Sequence, residues 1–403
     1  MANVLFTWEL GMGLGHILPI KSLAQHFVND DHQVYVALKD LKHGHTVFKD
    51  MPVKLLQAPF SQSPPNRNAI ACYSQLLAAN GFDQPDELMG LCLAWQTLFD
   101  LIKVDILLID HSPSALLAAR GLSIIKANIG TGFTVPPNGK PFAHFQAKQA
   151  TQLLENSLIE HESHTLYVCN QVLQKLNSPL LNQLGDLYTE PQHTGILSLP
   201  EFDHFAQRKS DLYLGITAHK SIQNKPNWPN TQGKKIFIYL KPFEHLKPFL
   251  QALMDTHASI IFYSNDIQAK QLSDFKAPHI HYETKALDLE LVAAQADIAI
   301  TNGNHSTLMH FILHKVPVMM IPLHWEQQLM ALRMQAQGIG VIGKKNQPEQ
   351  LIQSLQSILR VNGCSNAVRN LSNKYQIFDA AERQRQFCQR LISEAKTQKA
   401  KEV

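Results

Sequence analysis

Cysteine is scarce and scattered: five residues, Cys72, Cys92, Cys169, Cys364 and Cys388, in a chain of 403. An odd number at wide spacing argues against a disulfide framework and fits a reducing cytosol. Long apolar runs are missing as well. The longest, Val316 to Leu323, falls far short of the roughly 20 residues that a membrane-spanning helix needs. The opening stretch, Met1 to Trp8, reaches Glu9 without a basic start, a long apolar core or a cleavage site, so it does not read as a secretory leader. No sign of charge dominates: 36 basic against 33 acidic residues give a net charge of +3, which makes no electrostatic case for a nucleic-acid partner. The 20 histidines form no HExxH or Cys/His cluster, so no metal is expected. These absences together predict a soluble cytoplasmic protein. Lys396, Lys399 and Lys401 near the end offer an anionic membrane only weak peripheral contact, at about 1 kcal/mol per charge.

What is present is a globular composition, 45% hydrophobic and 17% charged, long enough for two domains. Buried strands are predicted at 3–8, 32–38, 53–57, 104–109 and 124–129, with helical patterns at 17–27, 71–79, 85–101 and 114–119. Alternation of this kind argues a mainly parallel sheet covered on both faces. Residues 218–233 are polar, carry two prolines and lack periodicity, which reads as a linker. A second series of strands follows at 235–240, 259–263, 279–282, 298–301 and 316–321. The predicted fold is α/β, two facing Rossmann-like doubly wound domains. The predicted boundaries are 1–217, a linker 218–233, 234–378, and a C-terminal helix and tail 379–403 that packs back on the N-terminal domain. No internal repeat or low-complexity tract is evident.

Two polar turns carry the chemistry. The first, Gly11-Met-Gly-Leu-Gly-His16, joins the first strand to a helix, with Gly11, Gly13 and Gly15 permitting a close turn. His16 then stands at a helix start, where the dipole disfavours imidazolium and keeps the ring neutral, as a general base requires. Asp110 ends the strand that begins near Val104. Parallel strands deliver their ends to one sheet edge, so Asp110 can reach His16, orient the ring and stabilise its charged form. The plainer readings are a tight turn, a packed histidine and an aspartate that caps the next turn. A dinucleotide fingerprint with Asp40 as ribose ligand is the sharper competitor, but the spacing is GxGxGH rather than GxGxxG.

The second turn follows the strand ending at Thr301. Gly303, Ser306 and Thr307 lie where a strand end becomes a helix, a place that holds a diphosphate through N–H and hydroxyl groups. Glu326 and Gln327, after Pro322, pair an acceptor with a mixed donor and acceptor and suit vicinal sugar hydroxyls. The plainer readings are an ordinary Ser/Thr helix start and an exposed Glu-Gln pair.

The block Val316-Pro317, Pro322, Glu326-Gln327, Ala331 and Gly338-x-Gly340 resembles the donor-site signature of family 1 GT-B-fold glycosyltransferases, the UDP-glycosyltransferases and their bacterial antibiotic- and flavonoid-modifying relatives. Trp8 to Pro19 resembles the acceptor-side turn of that family, and residues 131–137 and 237–242 resemble segments of its bacterial members. The resemblance implies an inverting sugar transfer, with His16 and Asp110 catalytic and Gly13 and Gly15 in the acceptor-side turn. Ser306 or Thr307 would touch phosphate, and Glu326 and Gln327 the sugar. A nucleotide-diphosphate sugar would be the co-substrate, with no cofactor and no metal, and the partner a small-molecule or lipid acceptor. Two positions depart from the family: Asn302 stands where a phosphate-binding histidine is usual, and His310 where a ribose-binding glutamate is usual. His305 is the candidate to supply the missing imidazole. The alternative function is a non-catalytic nucleotide-sugar or glycan-binding protein on the same fold. Residues 60–70 and 133–145 are the candidate acceptor loops.

Overall fold

The computed structural model describes residues 1–62, 70–145, 152–205, 208–209, 213–216, 224–264, 266–267 and 272–402. The chain divides into two compact units, Met1–Thr217 with Asp379–Val403, and Ala218–Phe378.

In the first unit the strands are β1 (Asn3–Trp8), β2 (Gln33–Leu38), β3 (Lys54–Gln57), β4 (Ile106–Asp110), β5 (Ile125–Gly130) and β6 (His193–Ile196). They form one sheet ordered β3-β2-β1-β4-β5-β6, and every pairing is parallel. β1 and β4 are apolar over most of their length and buried, as strands covered on both faces must be, and β5 is buried too, with Lys126 and Asn128 bonded to Glu190 and Tyr188 O. The helices between them start on local signals. Pro85 and Pro113 occupy first-turn positions that need no N–H, and Asp40 caps the Leu41–Phe48 helix by accepting from His43 N at 3.0 Å.

The second unit holds β7 (Lys235–Tyr239), β8 (Ser259–Tyr263), β9 (Ile280–Glu283), β10 (Ile298–Thr301), β11 (Val318–Met320) and β12 (Val341–Ile342). Their order is β12-β11-β10-β7-β8-β9, again all parallel. Numbered from its own first strand, each sheet runs 3-2-1-4-5-6, the doubly wound order whose chain direction reverses between strands 1 and 4. Ligands collect at the carboxyl ends of strands beside that reversal. The two reversal points are β1/β4 and β7/β10.

Several elements differ from the sequence reading. A 24-residue helix, Gln152–Lys175, and the edge strands β6 and β12 were not predicted. The helix is mostly polar and gains its order from packing on the Tyr73–Leu77 and Pro85–Ile102 helices. Of the predicted linker, residues 218–223 lie outside the described residues. Residues 224–233 belong to the second unit, where Asn224 and Trp228 bond Ala286 O and Gln295. The tail is helical: Ala380–Glu402 runs beyond Lys396, because Gln398 donates to Ser123 O and Lys399 pairs with Asp105 at 2.7 Å. Among the described residues no helix is long and apolar enough to cross a membrane.

Candidate active site

At the carboxyl edge of the first sheet, Trp8 and Asp110 are register partners across β1 and β4. Backbone from both strand ends is stitched further by Leu10 N donating to His111 O at 3.0 Å. Gly13 (φ 83°) precedes the Leu14–Asn29 helix, and His16 is its third residue. The His16 Nδ1 lies 2.9 Å from Asp110 Oδ2, with the carboxylate buried and the ring 14% exposed. An aspartate on Nδ1 assigns the proton there and leaves Nε2 as the basic nitrogen. The ring is held on its faces as well. Trp8 stacks on it at 5.2 Å and His111 at 5.8 Å, while a Cβ at Gly11 would stand 2.5 Å from Nε2. Gly11 is therefore required both by its φ of 92° and by the imidazole beside it. Gly130, at φ 116°, makes the same allowance for Asp110 Oδ1.

Two buried groups lie close to this pair. Glu9 accepts from Ser114 N at 2.6 Å, from the Ser114 hydroxyl and from Trp95 Nε1 at 3.2 Å, and burial raises its carboxyl to about 7. His111 is buried in a left-handed conformation (φ 47°), and burial pushes it well below the ordinary histidine range.

At the carboxyl edge of the second sheet, Asn302 is buried between three strand ends. Its Oδ1 accepts from Lys241 N, beyond β7, at 2.8 Å, and its Nδ2 donates to Ile321 O, beyond β11, at 2.8 Å. Gly303, at φ 90°, turns the chain into the His305–Leu313 helix. That helix has Asn304 at its N-cap without a side-chain cap, because the Asn304 Oδ1 instead accepts from Gln327 Nε2 at 2.6 Å. The Gln327 Oε1 accepts from Leu323 N at 2.8 Å, so one amide ties the loop after β10 to the loop after β11. His305 is buried and pushed down to about 3; His324, exposed at the start of the Trp325–Ala336 helix, is pushed down by partial desolvation of its ring and by Lys241 and Lys345. Both rings are neutral at neutral pH. Lys345, beyond β12, donates to Leu323 O at 2.6 Å.

No protein-family model matches the chain, and no curated protein matches it in sequence. Solved structures do match over nearly its whole length. The glycotransferase of kitacinnamycin aligns with a TM-score of 0.72 at 15% identity, covering 96% of this chain and 98% of that one. Spinosyn rhamnosyltransferase SpnG gives 0.68 at 14% identity, covering 98% and 100%. Glycosyltransferase VinC, in complex with DTDP, gives 0.69 at 13% identity, covering 98% and 99%. The chain has the GT-B fold.

Placed on the GT-B framework, the predicted residues separate into those the structure brings together and those it employs otherwise. His16 and Asp110 meet as expected from their positions at one sheet edge. Gly15 does not serve the turn; it lies inside the helix with ordinary dihedrals and open space at its Cβ. Ser306 and Thr307 occupy the first turn of the His305–Leu313 helix, where N–H groups have no intrahelical acceptor. Asn302 and Gln327 each spend one donor and one acceptor on backbone or loop bonds, which leaves one of each per amide. His310 is tied to Glu290 at 2.6 Å, and the same carboxylate reaches His314 at 3.2 Å, so the ring is committed within the unit. Glu290 is held well below the usual carboxylate range by these two histidines. His305 is neutral and supplies no positive charge. Glu326 is half-buried in the first turn of its helix.

The dinucleotide alternative loses its ribose ligand, because Asp40 caps its helix and pairs with His43 Nδ1 at 2.6 Å. Of the candidate acceptor loops, residues 63–69 lie outside the described residues. Phe133, Phe142 and Phe145 are buried around Tyr73, and Phe133 also meets His111. Lys241, Lys345, Glu9 and His111 were not singled out from the sequence. Each follows a strand by three residues or fewer, and reading the residues just beyond every strand end would have found them.

Proposed function

We propose that the chain is an inverting glycosyltransferase that moves a sugar from a nucleoside-diphosphate sugar to an acceptor hydroxyl. The observation that carries the reading is the His16–Asp110 pair at the β1/β4 reversal, together with the GT-B fold. In this reading the first unit binds the acceptor and the second the donor. His16 Nε2 takes the hydroxyl proton as the acceptor oxygen bonds to the anomeric carbon. The bond from that carbon to the phosphate oxygen breaks on the opposite side, and the nucleoside diphosphate leaves with the electron pair. Asp110 stabilises the imidazolium that forms. First-turn N–H groups at Ser306 and Thr307 and nearby cations receive the departing charge. Glu326 and Gln327 would hold the sugar. The transfer proposed here uses no metal, which the chelator in the assay below tests.

The nucleotide base is addressed by testing both uridine and thymidine donors, since VinC and SpnG were solved with thymidine diphosphate. Release of nucleoside diphosphate from panels of UDP- and dTDP-sugars, with hydroxylated small-molecule acceptors and a chelator present, is the test. His16→Ala is expected to lower turnover about 10²–10⁴-fold. A folded His16→Ala protein with undiminished turnover removes the base from the scheme. The second reading, a non-catalytic binder, is favoured by the commitments of Asn302 and His310 to their own unit. Nucleotide binding without release of diphosphate from any donor would select it.

A further inference from the structure

A departing diphosphate needs cationic partners, and most candidates at the carboxyl edge of the second sheet do not provide them. Asn302 is an amide, His305 and His324 are held neutral, and His310 is committed to Glu290. The sheet order β12-β11-β10-β7 supplies two other groups. Lys345 follows β12 and Lys241 follows β7, so the two lysines flank the loops after β10 and β11 from opposite sides. Each is fastened to those loops. Lys345 Nζ donates to Leu323 O at 2.6 Å, and Lys241 N donates to Asn302 Oδ1 at 2.8 Å. The Lys241 side chain is 40% exposed, and its pairing with Asp266 is long, at 3.6 Å, and itself exposed. Such a pair contributes little and yields readily to a better anion. Both lysines act electrostatically on the same His324 ring.

We propose that Lys241 and Lys345 are the paired cations that receive the donor's diphosphate, one from each side of the two loops. The proposal rests on the transfer reading above. It assigns the charge to residues after the first and last strands of the sheet rather than to the loop that starts the His305–Leu313 helix. That loop contributes N–H groups, and the lysines contribute charge. Lysine serves here as a point charge rather than a planar fork, so the site selects for phosphate charge without demanding one orientation.

Calorimetric titration of the full chain with inorganic pyrophosphate, dTDP and UDP tests this, alongside diphosphate release from the donor panel. Wild type is expected to bind pyrophosphate and at least one of the nucleotides. Lys241→Met and Lys345→Met should each weaken binding by about tenfold or more, and Lys241→Arg and Lys345→Arg should restore most of it. Lys345→Met also removes the bond to Leu323 O and can disturb the loop. Lys241→Met alters no backbone contact, so it tests the proposal by itself. Wild-type affinity in Lys241→Met, with sugar transfer intact, overturns the lysine assignment and leaves the transfer reading standing. Failure of wild type to bind any of the three ligands also overturns it. Lysine-dependent pyrophosphate binding in a protein that transfers no sugar supports the assignment and ends the transfer reading.

Discussion

Glu9 and His16 stand at the same sheet edge in unlike surroundings. His16 keeps a charged partner, whereas Glu9 is surrounded by neutral donors and rises to about 7. A carboxyl whose folded pKa lies above its unfolded value binds more protons in the native state, so stability falls as pH rises. For Glu9 the window runs from about 4.5, the ordinary value of a glutamate in the unfolded chain, to about 7. Across it the fold loses on the order of 3 kcal/mol. Glu9→Gln mimics the protonated acid, since its amide can donate to the Ser114 hydroxyl. The variant should match wild type at pH 4 and exceed it in urea midpoint at pH 8; an equal difference at both pH values would refute the buried-acid account. At this scale the sequence exposed one pairing and concealed others. His16 and Asp110 were legible because a helix start and a strand end share an edge in any parallel sheet. The engagements of Asn302, Gln327 and His310 were not, because each partner comes from a different loop or helix whose position depends on tertiary packing.

The start of the Leu14–Asn29 helix shows how an element sets a functional ring. Three glycines within five residues look equivalent in sequence, yet only Gly11 and Gly13 have positive φ, and only Gly11 abuts the imidazole. Gly11→Ala should strain the turn and displace His16, lowering diphosphate release together with the melting temperature. Gly15→Ala places a methyl in open space within a helix and should leave stability equal or raise it by up to about 1 kcal/mol. Thermal melts of the two variants decide the point: destabilisation by Gly15→Ala would show that the turn extends further than the dihedrals indicate. Strands with continuous apolar runs, such as β1 and β4, were recognisable from pattern alone. β6, with the sequence His-Thr-Gly-Ile, and β12, two residues long, carry too little pattern to be read and exist because an existing sheet edge pairs them.

At the level of the whole molecule, two units without detectable sequence repetition fold into sheets of the same strand order. Topology of this kind depends on alternating apolar strands and helices, which many unrelated sequences satisfy, so the repetition appears in strand order and not in residue identity. The chain also leaves the first unit and returns to it, because Ala380–Glu402 belongs with residues 1–217. Cys388, Leu391, Ile392 and Ala395 are buried on that helix, Gln384 meets Ser22 at 3.0 Å, Glu394 meets His193 at 2.7 Å, and Lys399 meets Asp105. The last pair is exposed and adds little, whereas burying the two large aliphatic side chains contributes on the order of 5 kcal/mol. Ending the chain after Phe378 removes that contribution from the first unit alone. Scanning calorimetry of the full chain, of residues 1–378 and of residues 218–378 separates the consequences. The transition assigned to the second unit should keep its midpoint in all three, and the transition of the first should fall by many degrees or disappear in the truncated chain. If truncation leaves the first transition in place, the C-terminal helix is an accessory to that unit and its buried face contributes no net stability.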